Sequence, residues 1–196
     1  DSIVADALKV ISDQMVEEPN PQLIDLMLDK CLYELMYKLA KQSKSNFLID
    51  FISAQIDLVN LRTFFRIRVM GFGRDYLAKV IFPNGKLDLD FYGRYFEEPL
   101  ETIADKLWAT DYHKAIQEGL ESYVKTKSFT KLERLTDDFM LDIAKKGKYV
   151  AFGIEPLVGY LMAKENEVKI IRIIMVGKIN SIPNDIIRER LRDVYV

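Results

Sequence analysis

The sequence predicts an all-α protein built from two divergent helical-bundle repeats. Apolar residues recur at steps of three and four along several segments, which is the spacing of one face of an α-helix. Strict alternation of apolar and polar residues, which is typical of a half-buried strand, is nearly absent from the 196 residues. A short pattern, an acid followed by four residues and an arginine, occurs in two of the long predicted helices.

The first half of the chain contains three predicted helices. Pro19-Asn20-Pro21 ends the first helix, because proline lacks a backbone N–H and clashes inside a helix. A second helix covers residues 22–41. Ser45 is a suitable N-cap for a third helix from about Asn46 to Met70, which Gly71 then ends. The apolar face of this third helix consists of Phe47, Phe51, Ala54, Leu58, Leu61, Phe65 and Val69.

The second half repeats this organisation around another long helix. Between residues 154 and 176 the same spacing gives an apolar stripe that Glu165 alone interrupts. Gly177 stands where the C-terminal glycine of such a helix is expected. Thr130-Lys131-Leu132-Glu133 has the spacing of a capping box at the start of a helix. Ser181 and Pro183 open a final helix that ends near residue 195.

The internal repeat is defined by Asp57 with Arg62 and by Glu167 with Arg172. Residues 57 and 167 differ by 110 positions, as do residues 62 and 172. Residues five apart lie about 140° apart around a helix, so the acid and the arginine flank the apolar stripe and do not face each other. We interpret them as charges that fix helix packing; a paired-carboxylate site or a partner-binding role is the alternative. The repeat predicts two units, residues 1–100 and 101–196.

Composition and charge exclude several function classes. The chain has 28 lysines and arginines against 30 acidic residues, and this balance does not favour a nucleic-acid partner. It contains one cysteine, Cys31, and one histidine, His113, which excludes an internal disulfide or a Cys/His zinc site and leaves a histidine-based triad unsupported. No window is long and apolar enough to predict a membrane span. We therefore expect no cofactor, no bound metal and no catalytic residue.

Two other functional classes remain open from the residues alone. An enzyme would need convergent carboxylates in a cleft, Asp57 with Asp29 or Glu167 with Asp138. A helical-repeat adaptor or scaffold in a multi-subunit assembly would need only the packing that the apolar stripes provide. Binding to a defined partner would distinguish the adaptor from other non-catalytic roles.

A resemblance to a known family narrows these alternatives. The stretch from Phe152 to Ile174, together with its continuation to Arg192, resembles the signature of the C subunit of V/A-type rotary ATPases (ATP synthases), the family that includes the d subunit of the vacuolar ATPase. The earlier Asp57–Arg62 stretch resembles a first copy of the same motif. The signature positions are Pro156, Tyr160, Lys164, Glu165, Gly177 and Lys178.

The resemblance implies a fold and a role. It implies a funnel of three related helical units, of which this chain, as a C-terminal fragment, holds the second (1–100) and the third (101–196). It implies a non-catalytic central-rotor subunit that seats the central stalk on the membrane proteolipid ring. Such a subunit transmits torque for proton or sodium transport coupled to ATP. The implied partners are central-stalk subunits D and F and the ring, at the cytoplasmic face of the membrane. The sequence does not identify the residues that contact them.

Overall fold

The computed structural model describes residues 21–195 of the chain. Every regular element in that range is helical, which confirms the all-α prediction. The helix predicted before Pro19 lies outside the described residues. None of the described helices is long and apolar enough to cross a membrane. The chain divides into two compact units, one that ends at Arg94 and one that begins at Tyr95.

The first unit is organised around two long helices that pack against each other. The longer of the two is followed by a turn of four residues and then by a short helix. Its described helices are α1 (Pro21–Ser43), α2 (Asn46–Val69), α3 (Arg74–Val80) and α4 (Leu89–Arg94).

The second unit repeats the sequence of long helix, turn and short helix after three additional helices. Helices α6 and α7 form its most extensive contact, and α8 lies against α7. Its helices are α5 (Leu100–Lys106), α6 (His113–Thr126), α7 (Thr130–Lys145), a 3₁₀ turn (Lys146–Tyr149), α8 (Glu155–Ile179) and α9 (Asn184–Arg190).

Local capping explains where α2 begins and ends. The Oγ of Ser45 accepts a hydrogen bond from the backbone N–H of Leu48 at 3.3 Å, as the sequence predicts. Gly71 adopts a positive φ of 76°, which glycine tolerates at low cost, and the chain turns there. The N–H of Phe72 then donates to the carbonyl of Ile67 at 3.1 Å and satisfies a carbonyl of the last turn.

The end of α8 has the same geometry at positions shifted by 110 residues, and it corrects one prediction. Ser181 has a positive φ of 54°, and the N–H of Ile182 donates to the carbonyl of Gly177 at 2.8 Å. Ser181 is thus the counterpart of Gly71. Gly177 does not end the helix: it lies inside α8, which continues to Ile179, and Ile187 packs closely against it. The predicted glycine C-cap was therefore wrong.

Two other predicted helix boundaries also differ from the structure. Helix α7 begins at Thr130 after Phe129, with no side-chain capping bond, so the predicted capping box does not form. The hydroxyl of Thr130 instead pairs with the Oγ of Ser128 at 2.9 Å. The final helix ends at Arg190 and not near residue 195, because the segment that follows is bound in a non-helical conformation by side chains of α7 and α8.

The cores of the two units are built from large apolar side chains of different helices. In the first unit, α2 supplies most of the fully buried residues, and the ring of Phe64 meets that of Tyr92 edge-on at 5.7 Å. Burying such side chains contributes roughly 1.5–3 kcal/mol each. In the second unit, the buried apolar residues come mainly from α5, α6 and α7: Ile103, Leu107, Ile116, Leu120, Leu132, Met140, Leu141 and Ala144.

Candidate functional site

Two buried polar side chains of the first unit lie on one face of α2, beneath the segment that follows α3. Asn60 is 1% exposed, and its side chain forms two hydrogen bonds with the backbone of Phe82. Its Nδ2 donates to the carbonyl at 2.8 Å, and its Oδ1 accepts from the N–H at 2.9 Å. The amide group therefore holds this backbone position in both directions.

Asp57 lies one turn before Asn60 and is fully buried. Its carboxylate accepts hydrogen bonds from the N–H groups of Lys86 at 2.9 Å and Leu87 at 3.1 Å. A Cβ atom at Gly85 would collide with the Asp57 carboxylate, so only glycine permits this close approach. Asp57, Asn60 and the backbone of residues 82–87 form what we call the first clamp, which holds the returning chain against α2.

The first clamp also affects a neighbouring tyrosine. Burial raises the pKa of the Tyr92 hydroxyl well above its usual range, and the nearby negative charge of Asp57 raises this pKa further. Tyr92 therefore stays neutral near neutral pH. Its ring serves packing against Phe64, and its position next to a buried carboxylate does not make it an acid for catalysis in that pH range.

The second unit holds its returning chain with different residues, mostly on α7. The carboxylate of Asp137 accepts from the Nε of Arg192 at 2.7 Å, and that of Asp138 accepts from the N–H of Asp193 at 2.8 Å. From α8, the Nδ2 of Asn166 donates to the carbonyl of Asp193 at 2.6 Å. Asp137, Asp138 and Asn166 together with the segment 191–195 form the second clamp.

The pKa values of two carboxyl groups in the second clamp are shifted in opposite directions. Burial raises the pKa of Asp138 above its ordinary value, despite the N–H of Asp193 that favours its charged form. The ammonium group of Lys145, at 2.7 Å, lowers the pKa of Asp193. Lys145 in turn has a raised pKa because of this hydrogen bond. The exposed pair therefore stays charged near neutral pH and fixes the end of the returning segment.

The structure places the four repeat-equivalent charges in unequal environments. Asp57 belongs to the first clamp and Arg62 is half-buried, whereas Glu167 and Arg172 are exposed. Glu167 pairs with Lys164 at 2.8 Å along the surface of α8. The role of the four charges in fixing helix packing stays a prediction. Among them, only Asp57 is fully buried, and it binds backbone N–H groups through its carboxylate.

The positions of the family-like signature are spread along α8. Pro156 lies in the first turn, where its missing N–H costs nothing. Tyr160 and Glu165 are exposed, and the Nζ of Lys164 lies 5.8 Å from the centre of the Tyr160 ring. Near the other end, Gly177 is buried against α9, and the Nζ of Lys178 donates to the Oδ1 of Asn184 at 2.6 Å. Their roles in function stay predictions.

The sequence interpretation missed the residues that complete the two clamps. Asn60 is a polar residue among the apolar residues of α2, a helix that buries half of its length, and this is the signal that marks it. No comparable signal marks Asn166, Arg192 or Asp193. These residues lie on exposed or irregular segments, and only the fold brings them to α7.

Three of the four carboxylates that an enzyme would need, those of Asp57, Asp138 and Glu167, are bound to other groups. Asp57 and Asp138 bind backbone N–H groups of the returning segments, and Glu167 lies at the exposed surface with Lys164. Within residues 21–195, no group of three or more His, Cys, Asp or Glu side chains is arranged to hold a metal ion. What this arrangement does chemically is to fix two chain segments.

Comparison with known proteins assigns the chain to a family. Residues 1–190 match the model of the ATP synthase (C/AC39) subunit family. The chain is 27% identical to the C subunit of the V-type sodium ATPase of Enterococcus hirae, over 97% of this chain and 57% of that protein. It is 28% identical to the C subunit of the A-type ATP synthase of Methanocaldococcus jannaschii, over 85% of this chain and 43% of that protein.

A third relative matches with a similar identity and a similar share of both chains. The C subunit of the A-type ATP synthase of Methanococcoides burtonii is 29% identical, over 86% of this chain and 48% of that protein. The chain thus spans about half the length of the curated relatives that it matches. The family match extends over both compact units. The chain therefore belongs to the ATP synthase (C/AC39) subunit family.

Proposed function

We propose that this chain is a non-catalytic part of the central rotor of a V/A-type ATPase, where it seats the central stalk on the membrane proteolipid ring. The observation that carries the proposal is the family match over residues 1–190, which includes both units. The relatives named as C subunits of a V-type sodium ATPase and of A-type ATP synthases support it. In this role the two units are the second and third of three related units.

The two clamps suit a part that transmits torque. A coupling part must carry a load without local unfolding, and irregular segments at helix ends are the usual sites of such opening. In each unit the segment after the short helix is tied to a long helix through carboxylate and amide hydrogen bonds of 2.6–3.1 Å. The bonds to the carboxylates of Asp57 and Asp138 are charge-assisted, and such bonds are stronger than bonds between neutral groups.

The proposed partners are central-stalk subunits D and F on one side and the proteolipid ring on the other. The chain would then lie at the cytoplasmic face of the membrane and be attached to it through the complex. Arg62 and Arg172 would orient neighbouring helices in this assembly. Ion choice, proton or sodium, would reside in the ring.

Native mass spectrometry tests this proposal directly. The chain is mixed with the purified D–F heterodimer of the same organism, and the full-length C subunit of Enterococcus hirae with its own heterodimer serves as the reference mixture. We expect a one-to-one complex in both mixtures. A complex in the reference mixture alone would mean that the stalk does not bind to these two units. Binding to neither the heterodimer nor the isolated ring would favour an adaptor in another assembly.

A further inference from the structure

Three helices of the second unit enclose a pocket that is lined with positively charged and hydroxyl side chains. It has a volume of about 450 Å³ and opens to solvent, and we call it the α6–α7–α9 pocket. This volume lies within the range of small-molecule sites, roughly 300–1,000 Å³. Each helix lines the pocket with residues that share one face, because they are three or four positions apart: Ser122 and Thr126 on α6, Lys131 and Arg134 on α7, and Ile186 and Arg190 on α9.

The charged side chains of the pocket carry a net positive charge. Lys131, Arg134 and Arg190 contribute three positive charges, and Glu189 is the one acid among the described residues that line it. Three positive charges against one negative charge leave a net charge of +2 on the lining. A concave surface with an excess of one charge attracts ligands of the opposite charge, and here an anion with two negative charges would balance the excess.

Acids of the same unit compensate these positive charges only weakly. The Nζ of Lys131 lies 3.9 Å from the Oε2 of Glu118, and the Nε of Arg134 lies 4.0 Å from the Oδ2 of Asp138. Both distances are longer than a hydrogen bond. In the part of the chain that the structure describes, the exposed guanidinium group of Arg190 has no ion-pair partner. The pocket therefore keeps positive charge that a bound anion can use.

Hydroxyl groups add a hydrogen-bond donor beside these charges. The Oγ of Ser128 and the Oγ1 of Thr130 both line the pocket and lie 2.9 Å apart. One of them donates to the other, which leaves one hydroxyl proton of the pair for a ligand. The hydroxyl of Thr126 donates to the carbonyl of Ser122 at 2.9 Å, so its proton is already used. A cationic group and a hydroxyl donor in one pocket suit an oxyanion.

The fold brings the charges of two helices together before any ligand binds. The Nη1 of Arg134 on α7 donates to the backbone carbonyl of Glu189 on α9 at 3.1 Å. This bond fixes the end of α9 against α7, so that Arg190 lines the same pocket as Lys131. A site that is already formed costs less ordering when it binds a ligand.

We propose that the α6–α7–α9 pocket binds the phosphate group of a small phosphomonoester. Such a group carries about −1.5 to −2 charges at pH 7 and has three acceptor oxygens, which match the lining better than the single charge of a carboxylate or a phosphodiester. Lys131 and Arg190 contact the phosphate oxygens, the Ser128–Thr130 pair donates one hydrogen bond, and the rest of the ligand lies against Ile186. The proposal is independent of the rotor role, because it rests on the charge and shape of this pocket alone.

Methyl phosphate and dimethyl phosphate test the proposal, because at about pH 7.5 the monoester carries nearly one more negative charge than the diester. Each is titrated into the ¹⁵N-labelled full chain at constant ionic strength, and the amide signals are followed by NMR. We expect methyl phosphate to shift the amides of residues 128–131 in a saturable manner. We also expect it to bind about tenfold more tightly than dimethyl phosphate, since the second negative charge meets the lysine and arginine of the pocket.

Variants of the lining make the test specific to the pocket. Lys131→Gln with Arg190→Gln is expected to weaken methyl phosphate about tenfold. Lys114→Gln with Arg188→Gln is the matched control, because it removes the same charge from exposed residues that do not line the pocket, and the affinity is expected to stay unchanged. Glu189→Gln removes the one acid of the lining and is expected to tighten binding about threefold. Circular dichroism verifies that each variant is folded.

Several results would overturn the proposal. Equal affinity for the two esters, or no saturable shift with methyl phosphate, would mean that the pocket does not select a dianion. Equal weakening in the lining variant and in the control would mean that the overall charge of the chain attracts the anion. Shifts confined to amides outside residues 122–134 and 186–190 would place the anion elsewhere. Sedimentation with vesicles of phosphatidic acid in phosphatidylcholine, without binding of methyl phosphate, would identify a membrane surface as the ligand.

Discussion

Helix α2 buries 12 of its 24 residues, whereas α8, which carries the same repeated motif, buries two of its 25. The two helices have nearly the same length, the same turn geometry and the same short helix after them. Their apolar stripes also match in sequence. The stripe of α2 lies in the core, but the stripe of α8 faces solvent along most of its length.

This difference shows what an apolar stripe does and does not indicate. The stripe predicts that a helix forms and that one of its faces is made to be covered. It does not indicate whether that cover comes from the same unit or from another protein. On α8 the face toward the unit is lined by half-buried residues such as Met162, Asn166 and Ile173, and the stripe lies on the opposite side.

The clamps show a second difference between the two regions. In the first unit, the long helix itself supplies the buried acid, Asp57. In the second unit, Asp137 and Asp138 of the neighbouring α7 bind the returning segment instead, and Glu167 lies at the surface. The same structural requirement, to satisfy the N–H groups and charges of a returning segment, is met by different residues because the burial of the long helix differs.

The largest expected effect is on the matched positions Phe65 and Met175, which are 0% and 56% exposed. Phe65→Ala should lower the free energy of unfolding by about 4 kcal/mol, because it leaves a cavity in the core. Met175→Ala should change it by less than about 0.5 kcal/mol. Urea denaturation followed by circular dichroism measures both. Similar losses for both variants would mean that α8 is covered in solution as α2 is.

The acids of the repeat give the next largest difference. Asp57→Ala removes a fully buried carboxylate and leaves the N–H groups of Lys86 and Leu87 without their acceptor, so it should cost about 3 kcal/mol. Glu167→Ala removes only an exposed ion pair with Lys164 and should cost less than about 0.5 kcal/mol. The same denaturation experiment compares the two variants. A neutral Asp57→Ala would show that the first clamp does not hold its segment.

The smallest effect concerns the pH dependence of the second clamp. Because Lys145 lowers the pKa of Asp193 below its ordinary value of 3.8, the charged carboxylate stabilises the fold above pH 3.8. This stabilisation is lost as the pH falls from 3.8 through the lower pKa of the folded state. Asp193→Asn should therefore lower stability at about pH 6 by about 0.5 kcal/mol or less, and the difference should shrink in acid.

Salt provides the control for this last prediction. The Asp193 carboxylate is about half exposed, so about 0.5 M sodium chloride should reduce the difference between the wild type and Asp193→Asn. Thermal denaturation at a series of pH values gives the measurement. A difference that persists unchanged below about pH 3 would mean that the asparagine disturbs the segment itself and not its charge.

The helix boundaries of α2 could be predicted because they depend on neighbouring residues. A serine at position 45 and a glycine at position 71 satisfy the backbone groups of their own helix ends, and both are local interactions. The error at Gly177 arose because glycine also serves close packing between helices. Here a Cβ atom would lie 2.7 Å from the Cδ1 of Ile187, and only the folded position of α9 reveals this.

The sequence by itself determined the all-α class, the repeat at an offset of 110 positions, the main helices and the family. These follow from periodicity, capping and residue identity, which act within a few positions of the chain. The tertiary structure decided which apolar stripe is buried and which acids form the clamps. Burial and hydrogen bonding between distant residues depend on which segments meet, and helical spacing alone carries no information about that.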